Sequence, residues 1–307
     1  MQGVLEGFAT IGIIIALGIA LAHWRVLDAS AQVMLSRLAF FVASPALMVT
    51  VLGSSDVRGV FSRNLLASAA AVLVTGLVYL AVTHLLWRRT VGDLVIGTMS
   101  AVYVNAANLG IPIAAYVLGD ASLVAPMLLM QLLVLQPVAL AVLDSTRPGV
   151  PFSLGLLVQR PLKNPLTLGS LLGVVLSLTG WHLPAAVDDP LRLVGGMAVP
   201  AMLIAYGVSL RLGPRPAAGP GAVEVGWVTL LKLVVQPMVA YVVARFGLGL
   251  GDRALLAVTV TAALPTAQNI FVHATRYDQA VVLARDAIFV TTVLSVPVLL
   301  GIAALLA

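Results

Sequence analysis

Apolar runs long enough to cross a bilayer recur ten times along this chain, and this recurrence limits its possible folds more than any motif does. The runs lie near 4–22, 32–52, 64–87, 93–118, 121–143, 165–183, 191–210, 226–248, 253–275 and 280–306. About 20 apolar residues in helical form span the hydrocarbon core. Lipid offers backbone groups no partners, so a spanning segment must satisfy them within itself. Only 9% of the 307 residues are charged and 61% are hydrophobic, whereas soluble domains carry about 25% charged residues. So few charges cannot cover a water-facing surface. The expected fold is an all-α polytopic membrane protein with ten transmembrane helices and no soluble domain.

Short polar segments separate the runs: "HWRVLD", "SSDVRG", "WRRTVGD", "DSTRPGVP", "AAVDDP", "RLGPRPAAGPG" and "GLGDR". With the N-terminus outside, the inner loops carry Arg25, Arg88, Arg89, Arg147, Arg160, Lys163, Arg211, Arg215 and Arg276. The outer loops then carry Arg58, Arg63, Arg245 and Arg253. The positive-inside rule therefore places both termini outside. Ala20-Leu21-Ala22 is shaped like a signal-peptidase site, but the residues before it carry Glu6 and no basic region, so the first run is read as a retained helix. The chain has no cysteine, which removes disulfides, thiolate chemistry and cysteine-based metal sites. Its basic residues are spread over short loops, and no nucleic-acid partner is expected.

The chain repeats itself. "SRLAFFVASPALM" places Arg37 eight residues before Pro45, and "LRLVGGMAVPAML" places Arg192 eight residues before Pro200, 155 residues further on. At nearly the same offset, a break at Gly110-Ile111-Pro112 in the fourth run answers a break at Pro265 in the ninth, within "TAALPTAQNIF". Five helices per copy is an odd number, so the second copy lies upside down relative to the first. Residues 1–143 and 165–307 are thus read as inverted five-helix repeats joined by a short basic cytoplasmic loop, 144–164. Inverted repeats with paired broken helices are a signature of secondary transporters that hold the solute at the midplane.

The breaks suggest a site. Proline removes a backbone donor and clashes with the preceding turn, and irregular backbone at membrane depth is tolerated only against protein or a cavity. Two broken helices that cross bring four half-helix ends to one place, and the amide ends suit an anion. Asn105 and Asn108 share a face in "NAANLGIP", and Gln268 and Asn269 follow Pro265. Their amides can donate and accept, either toward a carboxylate or to satisfy the broken backbone. The expected substrate site is Asn105, Asn108, Gly110, Pro112, Pro265, Gln268 and Asn269.

These pieces resemble the auxin efflux carrier family of plant PIN exporters and bacterial carriers of small dicarboxylates. The resemblance rests on the Arg37-to-Pro45 spacing, on Asn105 seven residues before Pro112, and on "KNP" at Lys163–Pro165. It rests also on "GGMA…YGVSL", on Lys232 five residues before Pro237, and on "ALPTAQNIFVHATRY". The resemblance implies an elevator-type homodimer in the bacterial inner (cytoplasmic) membrane. Helices one, two, six and seven would form its scaffold, and three to five with eight to ten the moving transport domain. It implies Asn105 as a substrate contact, and a small mono- or dicarboxylate, malonate-, malate- or auxin-like, as the substrate. Plant members carry a long loop between helices five and six and an acidic residue in helix three, where this chain has about twenty residues and Ser68 or Ala69. These departures count against a proton-linked support site like theirs and against auxin itself.

Lys232, inside the eighth run, and Asp286, early in the tenth, are expected to form a charge pair, serving either structure or coupling. Arg37 and Arg192 are read as snorkelling to the interface, and His84 and His273, close to helix ends, as interfacial histidines in preference to proton relays. A sodium-coupled organic anion symporter of the bile acid transporter type is the alternative function. An enzyme is not expected. Asp188-Asp189 is a lone acidic pair in a loop, no zinc or Ser-His-Asp signature is present, and neither a catalytic residue, a metal nor a cofactor is assigned.

Overall fold

The computed structural model describes residues 2–54, 63–110, 113–114, 118, 121–146, 165–213, 215–217 and 221–306. Pro112, Arg58, Arg147, Arg160 and Lys163, all part of the sequence reading, lie outside the described residues, as does the Asn108 side chain. The described chain is helical: α1 (Gln2–His23), α2 (Ala29–Gly53), α3 (Arg63–Leu86), α4 (Val91–Val102), α5 (Ala125–Ser145) and α6 (Pro165–Thr179) come first. They are followed by α7 (Ala185–Leu212), α8 (Ala222–Gly247), α9 (Asp252–Ala262), α10 (Asn269–Tyr277) and α11 (Val281–Leu306). Six of these, α2, α3, α5, α7, α8 and α11, are each long and apolar enough to cross a membrane alone. Leu73, Leu77 and Leu85 of α3 and Val293 of α11 are exposed, as on a surface that faces lipid.

Prolines shape these helices in a regular way. A wide π-turn occupies Ala39–Ala43 before Pro45, Gln131–Leu135 before Pro137, and Leu231–Val235 before Pro237. The same offset holds for Ala106–Gly110 and Pro112. Proline cannot bond the carbonyl four residues back, and widening the preceding turn re-routes those carbonyls while the helix continues.

Close packing fixes the partners. α1 lies against α7, and α2 against α6 and α7. A Cβ on Gly18 would stand 2.5 Å from the Ile204 carbonyl oxygen, and one on Gly169 2.5 Å from that of Pro45. Hydrophobic burial drives no association within lipid, so helices gain by approaching through small residues and maximising dispersion contacts. α3 packs against α4, α5 and α8, while α8 packs against α9 and α11. At one end of this group Glu224 is buried, accepting from Tyr79 Oη at 3.0 Å and pairing with Arg89 Nη2 at 2.6 Å.

Two expectations are corrected. "AAVDDP" is helix rather than loop, because α7 starts at Ala185 after Pro184. Carboxylates suit the positive end of a helix, and Pro190 lies inside α7. Asp188 also pairs with Arg192 one turn on, at 2.6 Å. The fourth run breaks earlier than Pro112, since α4 ends at Val102 and Tyr103 already has extended backbone (φ −83°, ψ 110°). Side-chain amides hold that earlier break open.

Candidate substrate-binding site

The unwound segments after α4 and α9 cross as a minimal antiparallel pair at Val104 and Thr266. Asn105 N donates to Pro265 O at 2.8 Å, and Ala267 N to Tyr103 O at 3.2 Å. In lipid an unpaired backbone group costs several kcal/mol, so the remaining groups show why polar side chains sit here. Gln131 of α5 acts as a substitute strand: its Oε1 accepts from Val104 N at 2.6 Å and its Nε2 donates to Val104 O at 3.0 Å. Thr266 N donates to Thr291 Oγ1 at 3.1 Å, and Thr266 Oγ1 to Ser100 O at 2.6 Å.

The open end of α4 is covered from α8. Gln236 Nε2 donates to Val102 O at 3.0 Å, and Lys232 Nζ lies 3.4 Å from the same oxygen and 2.6 Å from Gln236 Oε1. A cation at a helix C-terminus meets the negative end of the dipole. Lys232 does not pair with Asp286. Asp286 takes Arg285 at 2.6 Å, and its Oδ2 accepts from Ala217 N at 2.9 Å. The expected Lys232–Asp286 pair is therefore corrected: the adjacent arginine supplies one counter-charge and a helix end meets the other.

Beside the crossing is a cavity of about 90 Å3, whose lining includes Asn105, Gln131, Gln136, Gln268, Asn269 and His273. Asn105 is 2% exposed, and its Nδ2 donates to Gln268 Oε1 at 2.8 Å. Asn269 Nδ2 reaches Gln136 Oε1 at 3.4 Å, and Tyr103 Oη donates to that oxygen at 3.3 Å. Gln268 Nε2, Asn269 Oδ1 and both ring nitrogens of His273 have no hydrogen-bond partner. Buried polar atoms are rarely left without partners, so donors and acceptors grouped at one cavity fit a polar ligand. The α10 helix begins at Asn269, which brings its positive end to the cavity.

Of the expected site residues, Asn105, Gln268 and Asn269 meet at this cavity. Pro265 contributes its carbonyl to the crossing. Gly110 packs behind it, where a Cβ would stand 2.9 Å from Leu264 Cδ1 and 3.1 Å from Val124 Cγ1. His273, read as interfacial, is instead 4% exposed and lines the cavity. It lies one turn beyond Asn269 on the same face, which places it deep whenever Asn269 is deep. His84 is exposed near the end of α3. Sequence reasoning missed Gln131 and Gln136; two amides in the apolar run "QLLVLQP" carried the signal, since intramembrane polar groups are costly.

A family model described as "Membrane transport protein" matches residues 4–146 and 145–303. The chain is 25% identical over 288 residues to a Rhizobium meliloti protein named "Putative malonate transporter", covering 91% of this chain and 88% of that one. It is 28% identical over 305 residues to an "Uncharacterized transporter" of Methanothermobacter thermautotrophicus, covering 96% and 95%.

Proposed function

This chain belongs to the auxin efflux carrier family of membrane transport proteins, and from that premise we propose that it carries a small organic anion, a mono- or dicarboxylate, through the crossover cavity. The family and the relatives are multi-pass membrane transporters, not enzymes. The observation that carries the proposal is the group of unpartnered polar atoms on Gln268, Asn269 and His273 around one cavity at the crossing.

The electrostatics favour an anion. Lys232 and Gln236 cover the negative end of α4, whereas the positive end of α10 faces the cavity and meets a carboxylate. Size favours a small one, because a cavity of about 90 Å3 is above what one water needs, about 10–15 Å3, yet small beside the roughly 300–1,000 Å3 of pockets for drug-sized ligands. The relative named for malonate supports the same class. The sodium-coupled alternative has less support, because no carboxylate lines the cavity among the described residues.

Carriage proceeds by an elevator movement of ten helices arranged as two inverted repeats. Helices α1, α2, α6 and α7 form the scaffold, and the other described helices form the transport domain; the α1–α7 and α2–α6 packing supports that division. The working unit is a homodimer in the bacterial cytoplasmic membrane, with both termini outside. Uptake by proteoliposomes across a panel of mono- and dicarboxylates, with sodium and proton gradients imposed separately, tests the reading. Saturable uptake of a short carboxylate supports it, and no carboxylate uptake by active, folded protein overturns it.

A further inference from the structure

The cavity receives an anion but offers it no fixed cation. Among the described residues, its lining holds no lysine, arginine, aspartate or glutamate, and the side chains that can titrate are Tyr103 and His273. Tyr103 is engaged, its hydroxyl donating to Gln136 Oε1 at 3.3 Å. His273 is 4% exposed, has neither ring nitrogen bonded, and meets the ring of Phe40 edge-on at 5.9 Å. Imidazole is the side chain that takes up a proton near neutral pH without special help, and an uncompensated charge in a dry site is costly.

We propose that His273 is the proton carrier of the site, protonated as the anion enters, donating to its carboxylate, and crossing with it, so that transport is proton–anion symport. The inference rests on the organic-anion reading of the cavity. Its step balances simply: one proton from the water on the open side joins the free ring nitrogen, an N–H bonds the carboxylate, and on the far side the proton and the anion both leave.

The groups around His273 leave this role to it. α10 packs against α2, α4, α7 and α11. On α2, Arg37 is exposed. On α4, Asp93 accepts from Ala280 N and Thr90 Oγ1, and Tyr103 is bonded as above. On α7, Tyr206 donates to Arg285 O, Arg192 pairs with Asp188, and Arg211 bonds His23. On α11, Arg285 and Asp286 pair with each other. On α10 itself, Arg276 lies over the Phe41 ring at 4.7 Å.

The test uses the full chain in proteoliposomes that contain a pH-sensitive dye, with membrane potential clamped and a malonate gradient imposed as the probe. The expected result is acidification of the lumen in step with malonate entry, close to one proton per anion, and in His273→Gln residual malonate entry with the proton signal lost. Malonate entry without acidification in the unaltered protein overturns the inference while leaving the anion reading intact. An undiminished proton-to-malonate ratio in His273→Gln also overturns it. If the unaltered protein carries no carboxylate at all, both readings fall.

Discussion

The side-chain amide of Asn105 donates to Oε1 of Gln268 at 2.8 Å, joining two segments that unwind in separate halves of the chain. The bond spends the oxygen of Gln268 and leaves its Nε2 without a partner at the cavity wall. The amide of Asn105 thus positions Gln268, whose remaining donor stands free at the cavity.

Gln131 serves the fold. Substituting Gln131→Leu removes the acceptor of Val104 N, while the Val104 carbonyl keeps the Ala106 amide at 2.8 Å. One buried N–H is orphaned, which costs about 1–3 kcal/mol. The melting temperature in detergent should fall clearly. An unchanged melting temperature would show that Gln131 does not hold the break.

Lys232 and Asp286 should behave independently. Asp286→Leu strips the counter-charge from Arg285, which is itself 2% exposed, and breaking a buried pair in this way costs about 3–5 kcal/mol. Lys232→Met leaves Val102 O with its bond from Gln236 at 3.0 Å, so its loss should be smaller. The double variant should melt near the sum of the two losses, as sites without shared partners do. Recovery of stability in the double variant would mean that the two side chains pair after all.

Gly18 should tolerate no side chain. A Cβ there would stand 2.5 Å from the Ile204 carbonyl oxygen and 3.0 Å from Ile204 Cα, and backbone yields poorly. Gly18→Ala should push α1 from α7 and cost about 1–3 kcal/mol. Gly12→Ala, on the same helix with open space around it, should be neutral or slightly stabilising. Equal melting temperatures for the two variants would contradict the close approach.

Transport should not depend on sodium. Transporters coordinate sodium with unwound backbone carbonyls and half-helix C-terminal ends. Here the C-terminal end of α4 is covered by Gln236 and Lys232, and no carboxylate lines the cavity among the described residues. Uptake measured at constant potential with sodium replaced by potassium should be unchanged. A steep sodium dependence would favour the symporter alternative.

Much of this was readable from residues. Most of the runs lie within a few residues of a helix, but the fourth ends early at Val102, the ninth is divided into α9 and α10, and α7 starts at Ala185, where "DDP" reads as punctuation by composition. The break at Pro265 was legible because proline there cannot continue a helix. Its counterpart at Tyr103–Asn105 was not, because nothing in "YVN" forbids a helix; the break depends on Gln131 and on the opposing strand, contacts made across the fold. Asn105, Gln268 and Asn269 stand out in the sequence because amides are expensive in lipid, and they meet at one cavity. His273 was misread because its distance from the helix end was judged along the ninth run as a single span, whereas α10 is short and starts inside the protein. Lys232 was assigned a carboxylate partner because sequence displays side-chain charges and hides the dipole of a helix end.

The measurement that bears most directly on anion carriage at the crossing is malonate counterflow in proteoliposomes with the unaltered chain and with Asn105→Ala. Asn105 lines the cavity and positions Gln268, so the variant should remain folded, with a single cooperative melt, and lose saturable counterflow. Counterflow in Asn105→Ala with the same half-saturation and maximal rate as the unaltered protein would place the substrate elsewhere and contradict the assignment.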